Sequence, residues 1–93
     1  MTIRYSSDFL RQLKKLNVRV RKSFKEKITT FIKNPFSPEL DNHSLKREYQ
    51  GYRSIDITND YRAIYQEKVE GDELVAYFIS IGTHKELYEK STS

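Results

Sequence analysis

The stretch GYRSIDITNDYRAIY, from Gly51 to Tyr65, constrains this chain more than any other. Tyr52 to Ile57 has the residue types of a strand, with Ile55 and Ile57 two apart and so on one face. Thr58, Asn59 and Asp60 supply turn chemistry, because Asn and Asp tolerate left-handed backbone and bond back to nearby amides. Tyr61 to Gln66 then returns as a second strand. The polar set is dense for a small sheet: Arg53, Asp56, Asp60, Tyr61 and Arg62 crowd one hairpin. A later piece, IGTHKELY from Ile81 to Tyr88, adds a histidine and a tyrosine where a third strand ends.

With 93 residues, the chain has length for a single core, so one domain spanning 1–93 is expected. Seven Tyr and five Phe must supply much of that core. There is no Cys, which excludes a disulfide framework or a zinc–thiolate site and fits a reducing cytoplasm. No apolar run approaches the ~20 residues of a membrane span. The N-terminus lacks the apolar centre of a signal peptide. A cytoplasmic protein without a membrane partner is therefore expected.

Charge is unevenly placed. Residues 1–34 carry ten Lys or Arg against two Asp or Glu; residues 35–93 carry seven against eleven. The local balances are +8 and −4 within a net +4. The basic part coincides with the helical part. A cationic surface suits a polyanion such as nucleic acid, and it is equally the pattern of a solvated basic helix face.

In chain order, Thr2 to Tyr5 is a strand. Ser6, Ser7 and Asp8 offer capping oxygens to a helix starting at Phe9. Its apolar positions are Phe9, Leu10, Leu13 and Leu16, with Arg11, Lys14 and Lys15 elsewhere. Asn17 makes a corner. A second helix runs from about Val18 to Lys33 on the stripe Val20, Phe24, Ile28, Phe31 and Ile32. Arg19, Arg21, Lys22 and Lys25 cluster in its N-terminal half, the worse end for cations given the helix dipole. That placement tilts the reading towards binding. Pro35 ends the helix.

Phe36 to Glu48 reads as the longest irregular segment, with His43, a Leu45 anchor and the basic step Lys46-Arg47. After the central hairpin, Lys68 to Asp72 is a connector with its turn at Gly71-Asp72. Leu74 to Ile81, the most apolar run, is the most buried strand. Thr83 caps a short helix from His84 to about Lys90, on which His84 and Tyr88 share a face. Ser91 to Ser93 is a frayed tail. The order is β-α-α-β-β-β-α: an α+β fold in which a helical hairpin covers one face of a small, mostly antiparallel sheet. The other face is expected to stay open between the His43 loop and the C-terminal turn.

His43 and His84 are the only histidines. Each is either a surface or capping residue, or a proton carrier, since imidazole suits transfer near neutral pH. Their spacing matches no metal motif. Asp60 either caps its turn, or orients a histidine or acts as a base. Tyr61 and Tyr88 are either core or rim aromatics, or platforms on which an unpaired base stacks. Arg53 and Arg62 either pair across the strands with Asp56 and Asp60, or are left to grip phosphate. There is no Gly-rich phosphate loop and no recognisable Ser or Cys nucleophile.

Taken in order, NHSLK from Asn42, the Gly51–Tyr65 segment and IGTHKELY, behind a strand and a leucine-rich basic hairpin, resemble the RelE/ParE superfamily. These are toxins of bacterial type II toxin–antitoxin systems, and the chain is most similar to the YafQ-like mRNA interferase branch. The resemblance spans nearly the whole chain and rests on the ordered set rather than on one motif. It implies a RelE-like fold and a ribosome-dependent endoribonuclease acting on translated mRNA without metal or other cofactor. It places catalytic groups on His43, Asp60, Arg62, His84 and Tyr88. RNA contacts then fall to Lys46, Arg47, Arg53, Tyr61 and Lys85. The hairpin residues Arg11, Lys14, Lys15, Arg19, Arg21, Lys22 and Lys25 would hold ribosomal RNA.

The implied partners are mRNA, ribosomal RNA and a cognate antitoxin protein whose acidic segment folds on the basic surface. The pattern departs at two positions. Asp56 stands where YafQ-like toxins carry a further histidine, and Tyr61 replaces a Trp. Two other readings share the fold: a non-enzymatic ParE-like toxin that binds DNA gyrase, and a degenerate member that only binds its antitoxin. The histidine pair favours the nuclease.

Overall fold

The computed structural model describes residues 1–89, the last two as backbone. The expected helix end at Lys90, the tail from Ser91 and the side chain of Tyr88 lie outside the described residues. The elements are β1 (Thr2–Tyr5), α1 (Ser7–Lys15), α2 (Val18–Lys33), β2 (His43–Ser44), β3 (Tyr52–Asp56), β4 (Tyr61–Glu70) and β5 (Glu73–Thr83). A wide-turned helical segment, Lys85–Glu89, follows. The five strands form one sheet in the order β1-β5-β4-β3-β2. Only β1 runs parallel to its neighbour, β5; the other pairings are antiparallel. This is the expected α+β architecture. No helix among the described residues is long and apolar enough to cross a membrane.

Local chemistry sets the helix ends. Ser6 Oγ accepts from the Phe9 N–H at the start of α1, and Asn17 Oδ1 accepts from the Val20 N–H at the start of α2. Each satisfies an amide that the helix cannot. Ser6 also ties α1 to the sheet, because its own N–H donates to the Phe78 carbonyl. The register shifts beside that point: Ile64 faces Ser80 while Tyr65 faces Phe78, leaving Ile79 as a bulge. Gln12 on α1 accepts from the Ile81 N–H at 3.0 Å, along the part of β5 beyond its register with β1.

The core lies between the helices and one sheet face. Phe78 is its centre, with the rings of Tyr5, Phe9, Phe24, Phe31 and Tyr65 around it at centroid distances of 5.1–6.4 Å. Tilted and edge-on pairs dominate, as ring quadrupoles favour. From β3 and β4 the same face contributes Ile55, Ala63 and Tyr65.

Four expectations are corrected. The stretch read as irregular from Phe36 to Glu48 contains β2 and two tight helical turns, Pro38–Leu40 and Arg47–Tyr49. Leu40, not Leu45, is its fully buried anchor. Leu10 and Ile32, assigned to apolar stripes, are exposed. Each adjoins a phenylalanine, Phe9 and Phe31, that takes the core-facing position; successive residues lie about 100° apart on a helix, so both cannot face inward. Finally, Lys68 to Glu70 is not a connector but the end of β4, which pairs with β5 as far as Glu70 and Glu73. Gly71 supplies the positive φ of that turn, +63°.

The helix-free face is not uniformly open. Ser54 and Ile64 are fully buried there, Leu87 nearly so, and the Tyr49 hydroxyl donates to the Leu87 carbonyl at 2.9 Å. The C-terminal segment and the Arg47–Tyr49 turn are thus latched together. Gly82 permits a close approach: an added Cβ would lie 3.2 Å from Glu86 Oε1 and 3.5 Å from Leu87 Cδ2. What remains accessible is the end of this face near the β3–β4 turn.

Candidate functional site

The loop before β2 is fixed by one side chain. Asn42 Nδ2 donates to the Pro35 carbonyl at 2.9 Å and to the Tyr65 hydroxyl at 2.8 Å. Its Oδ1 accepts from Arg53 Nε at 2.7 Å. Asp41 beside it adopts left-handed backbone, φ 44°. The Asp41 carbonyl lies 2.8 Å from His43 Nδ1. A carbonyl can only accept, so Nδ1 carries the proton, and in the neutral ring Nε2 keeps the lone pair. His43 is thereby oriented for proton exchange through Nε2.

Register carries the site across the sheet. His43 faces Ser54, Asp56 lies two residues on, Asp56 faces Arg62 and Arg62 faces Gly82. Directly opposed residues and those two apart share a face. His43, Asp56 and Arg62 therefore sit together on the helix-free side. Arg62 Nε is 3.2 Å from Asp56 Oδ1, with both side chains mostly buried (24% and 30% exposed). The pair is close enough for charge attraction but is not aligned as a hydrogen bond, so the buried Oδ1 has no directed donor. Burial pushes the Asp56 carboxyl above its ordinary range; Arg62 opposes this, Asp41 adds to it, and His43 and Lys27 oppose it.

On the other side of Arg62 is a shallow depression of about 400 Å³. Asn59, Asp60, Tyr61, Arg62, Thr83, His84 and Lys85 line it. The turn at its floor is capped by the Thr58 hydroxyl, which accepts from the Asp60 and Tyr61 amides at 3.2 and 3.1 Å. Thr58, not the Asp60 carboxylate, makes those bonds, and Asp60 is exposed at the rim. Thr83 and Glu86 form a reciprocal capping box: Glu86 N–H to Thr83 Oγ1 at 3.1 Å, and Thr83 N–H to Glu86 Oε1 at 2.9 Å. That box holds the chain at His84.

The structure thus gathers Asp60, Arg62, His84 and Lys85 in one depression, which Tyr61, partly buried against the core, also lines. His43 lies outside it and is linked through Asp56 and Arg62. Between β2 and β5 there are three inter-strand steps, roughly 14 Å at the usual spacing. Arg62 is the residue common to both halves. Among the described residues, no three of His, Cys, Asp and Glu cluster as a metal site would require.

The remaining sequence-derived candidates lie elsewhere. Arg53 is one residue out of phase with Ser54 and so belongs to the helix side, where it bonds Asn42 and lies over the Phe36 ring at 5.2 Å. Lys46 and Arg47 are exposed at the turn after β2. Arg11 pairs with Asp8 at 2.8 Å. Lys14, Lys15, Arg19, Lys22 and Lys25 are exposed on the helical hairpin, and Arg21 is half-buried. The first turn of α2 has no acidic residue to offset these cations.

A family model described as bacterial toxin of type II toxin–antitoxin system, YafQ, matches residues 1–89. The chain belongs to the YafQ toxin family. Among solved structures, this YafQ-family chain is similar to YafQ from E. coli strain BL21(DE3), with 26% identity and a TM-score of 0.74; the match covers 92% of this chain and 96% of that one. The E. coli DinJ–YafQ toxin–antitoxin complex gives 27% identity and a TM-score of 0.69, over 92% and 94%. A YoeB/ParE toxin from Agrobacterium tumefaciens shares the fold at 21% identity and a TM-score of 0.72, over 90% and 99%. A search of curated proteins finds no match.

Two residues of this candidate site escape a reading by residue type. Asn42 looks like loop punctuation, yet all of its polar side-chain atoms are engaged in holding the loop that carries His43. Asp56 looks like one half of an ion pair. A signal for it was present: Asp56 is out of phase with the core pair Ile55 and Ile57, which places a carboxylate on the helix-free face.

Proposed function

We propose that this toxin is a ribosome-dependent endoribonuclease that cleaves translated mRNA. The observation that carries this reading is the polar strip ending the helix-free face: two histidines flank an arginine held on the sheet. A base removes the proton of a ribose 2′-hydroxyl, the oxygen attacks the adjacent phosphorus, and an acid protonates the departing 5′-oxygen. Arg62 offsets the extra negative charge on phosphorus. His43 and His84 serve the proton transfers, and Asp60 and Tyr61 at the rim position the nucleotide. Tyr88 enters on the family resemblance alone.

The basic hairpin, Arg11 to Lys25, holds ribosomal RNA. Counterion release makes such binding fall steeply as salt rises, whereas a merely solvated face gives a flat response. An antitoxin with an acidic segment is the proposed protein partner, by analogy with the DinJ–YafQ complex. The protein acts in the cytoplasm, where translated mRNA is found.

The test is single-turnover cleavage of ribosome-bound mRNA. A positioned acid or base contributes ~10²- to 10⁴-fold, so His43→Ala and His84→Ala should each slow cleavage by that order at similar binding. Losses under threefold for both would remove the histidines from the mechanism.

A further inference from the structure

We propose that Asp56 is a further catalytic residue, the group that accepts the 2′-hydroxyl proton. This deepens the ribonuclease reading and rests on it. The two histidines lie at the ends of a strip, with three inter-strand steps between β2, which carries His43, and β5, which ends just before His84. A phosphate held by Arg62 sits in that gap, and the carboxylate paired with Arg62 is Asp56. Its Oδ1 is buried against Arg62 without a directed donor, while the side chain as a whole keeps 30% of its surface exposed; we take Oδ2 as the oxygen that meets the substrate.

A structural ion pair of this kind is usually closed by hydrogen bonds to both oxygens. This one is not, and an under-bonded carboxylate is a stronger proton acceptor. The charged groups around it are Arg62 on β4, His43 on β2, Asp41 in the preceding loop and Lys27 on α2. Their sum with burial leaves the carboxyl above its ordinary value of 3.8.

The step balances as follows. The 2′-O–H proton passes to Asp56 Oδ2 as the O2′–P bond forms. The P–O5′ bond breaks, and protonated His84 gives its proton to O5′. The products are a 2′,3′-cyclic phosphate and a 5′-hydroxyl. His43 Nε2, diagonal to Asp56 on the same face, draws that proton on from Asp56 during the step, so that loss of His43 also slows cleavage. His43 then releases it to water and His84 takes a proton back from water.

The experiment is single-turnover cleavage of ribosome-bound mRNA against pH, with urea midpoints recorded for each variant. Asp56→Asn keeps size and polarity but cannot accept a proton, and should be slowed at least 10²-fold. Asp56→His should recover part of that loss. Its acidic limb should move up towards pH ~6.5, the ordinary histidine range. A residue that only steadies Arg62 would not move the limb.

The proposal is overturned if Asp56→Asn cleaves within threefold of the wild type. It is equally overturned if Asp56→His stays inactive or keeps the wild-type limb. Should Asp56→Asn not fold, the Asp56→His limb decides alone. The underlying reading is scored separately by the wild type and His84→Ala. A wild type that cuts nothing ends both, whereas His84-dependent cleavage indifferent to Asp56 ends only this proposal.

Discussion

The two faces of one sheet are built from alternate residues of the same strands, yet they obey different rules. On the helix side, Ile55, Ala63, Tyr65, Phe78 and Ile81 are buried with Phe9, Phe24 and Phe31 in a close-packed aromatic core. On the other side His43 is exposed, Asp56 and Arg62 are partly exposed, and the buried Ser54 Oγ and Asp56 Oδ1 have no hydrogen-bond partner. The first face buries apolar side chains, and the Tyr65 hydroxyl among them is bonded by Asn42. The second keeps a charged pair half-covered, which stability alone does not favour. Groups poised in that way are where chemistry is usually found.

Substitutions can sharpen this contrast. The largest stability loss should come from Phe78→Ala, which empties the centre of five rings. A cost of about 3–5 kcal/mol is expected. That is much of the ~5–15 kcal/mol a small domain has, and urea unfolding measures it. Next, Asn42→Ala leaves the buried Tyr65 hydroxyl and the Arg53 guanidinium without their partner. It should cost about 1–3 kcal/mol and also slow cleavage, since the loop presenting His43 loosens. A full loss of stability with unchanged cleavage would separate the loop from the site.

Gly82→Ala is expected to cost about 1 kcal/mol, because the new methyl presses on Glu86 and Leu87 and disturbs the segment leading from His84. Asp56→Asn should show the smallest stability effect, with the opposite sign. The folded-state carboxyl lies above its unfolded value, mainly through burial. Stability from such a group is fully present below the unfolded pKa and is lost as pH rises through the folded one. Removing the charge should therefore raise Tm slightly at pH 7. The gain should vanish below pH ~4, and a scanning calorimeter run at both pH values checks it. An Asp56→Asn variant that melts lower at pH 7 would make the ion pair a net stabiliser.

The two faces also differed in how legible they were. The core side was written in periodicities: the stripe of Val20, Phe24 and Phe31 located α2, and Asn17 marked its start as a corner, which the structure shows to be its capping residue. The apolar run from Leu74 located β5. The helix-free side was written in register, which a single chain does not display. Two residues are too few for β2 to show an alternation, so His43 read as loop. Leu40 was passed over as anchor because tertiary packing, not local pattern, chooses among loop leucines. Asp56 and Arg62 were visible as charges, but their pairing and under-bonding belong to the folded sheet.

The most direct measurement is primer extension on an mRNA translated in a purified system, with the wild-type chain and with His84→Ala. The account expects breaks within the coding region that appear only when the message is on the ribosome and that fade at least 10²-fold in the variant. Intact message with the wild type, or breaks that persist unchanged in His84→Ala, would contradict it. Altered DNA topology in place of those breaks would point to a gyrase-binding toxin on the same fold.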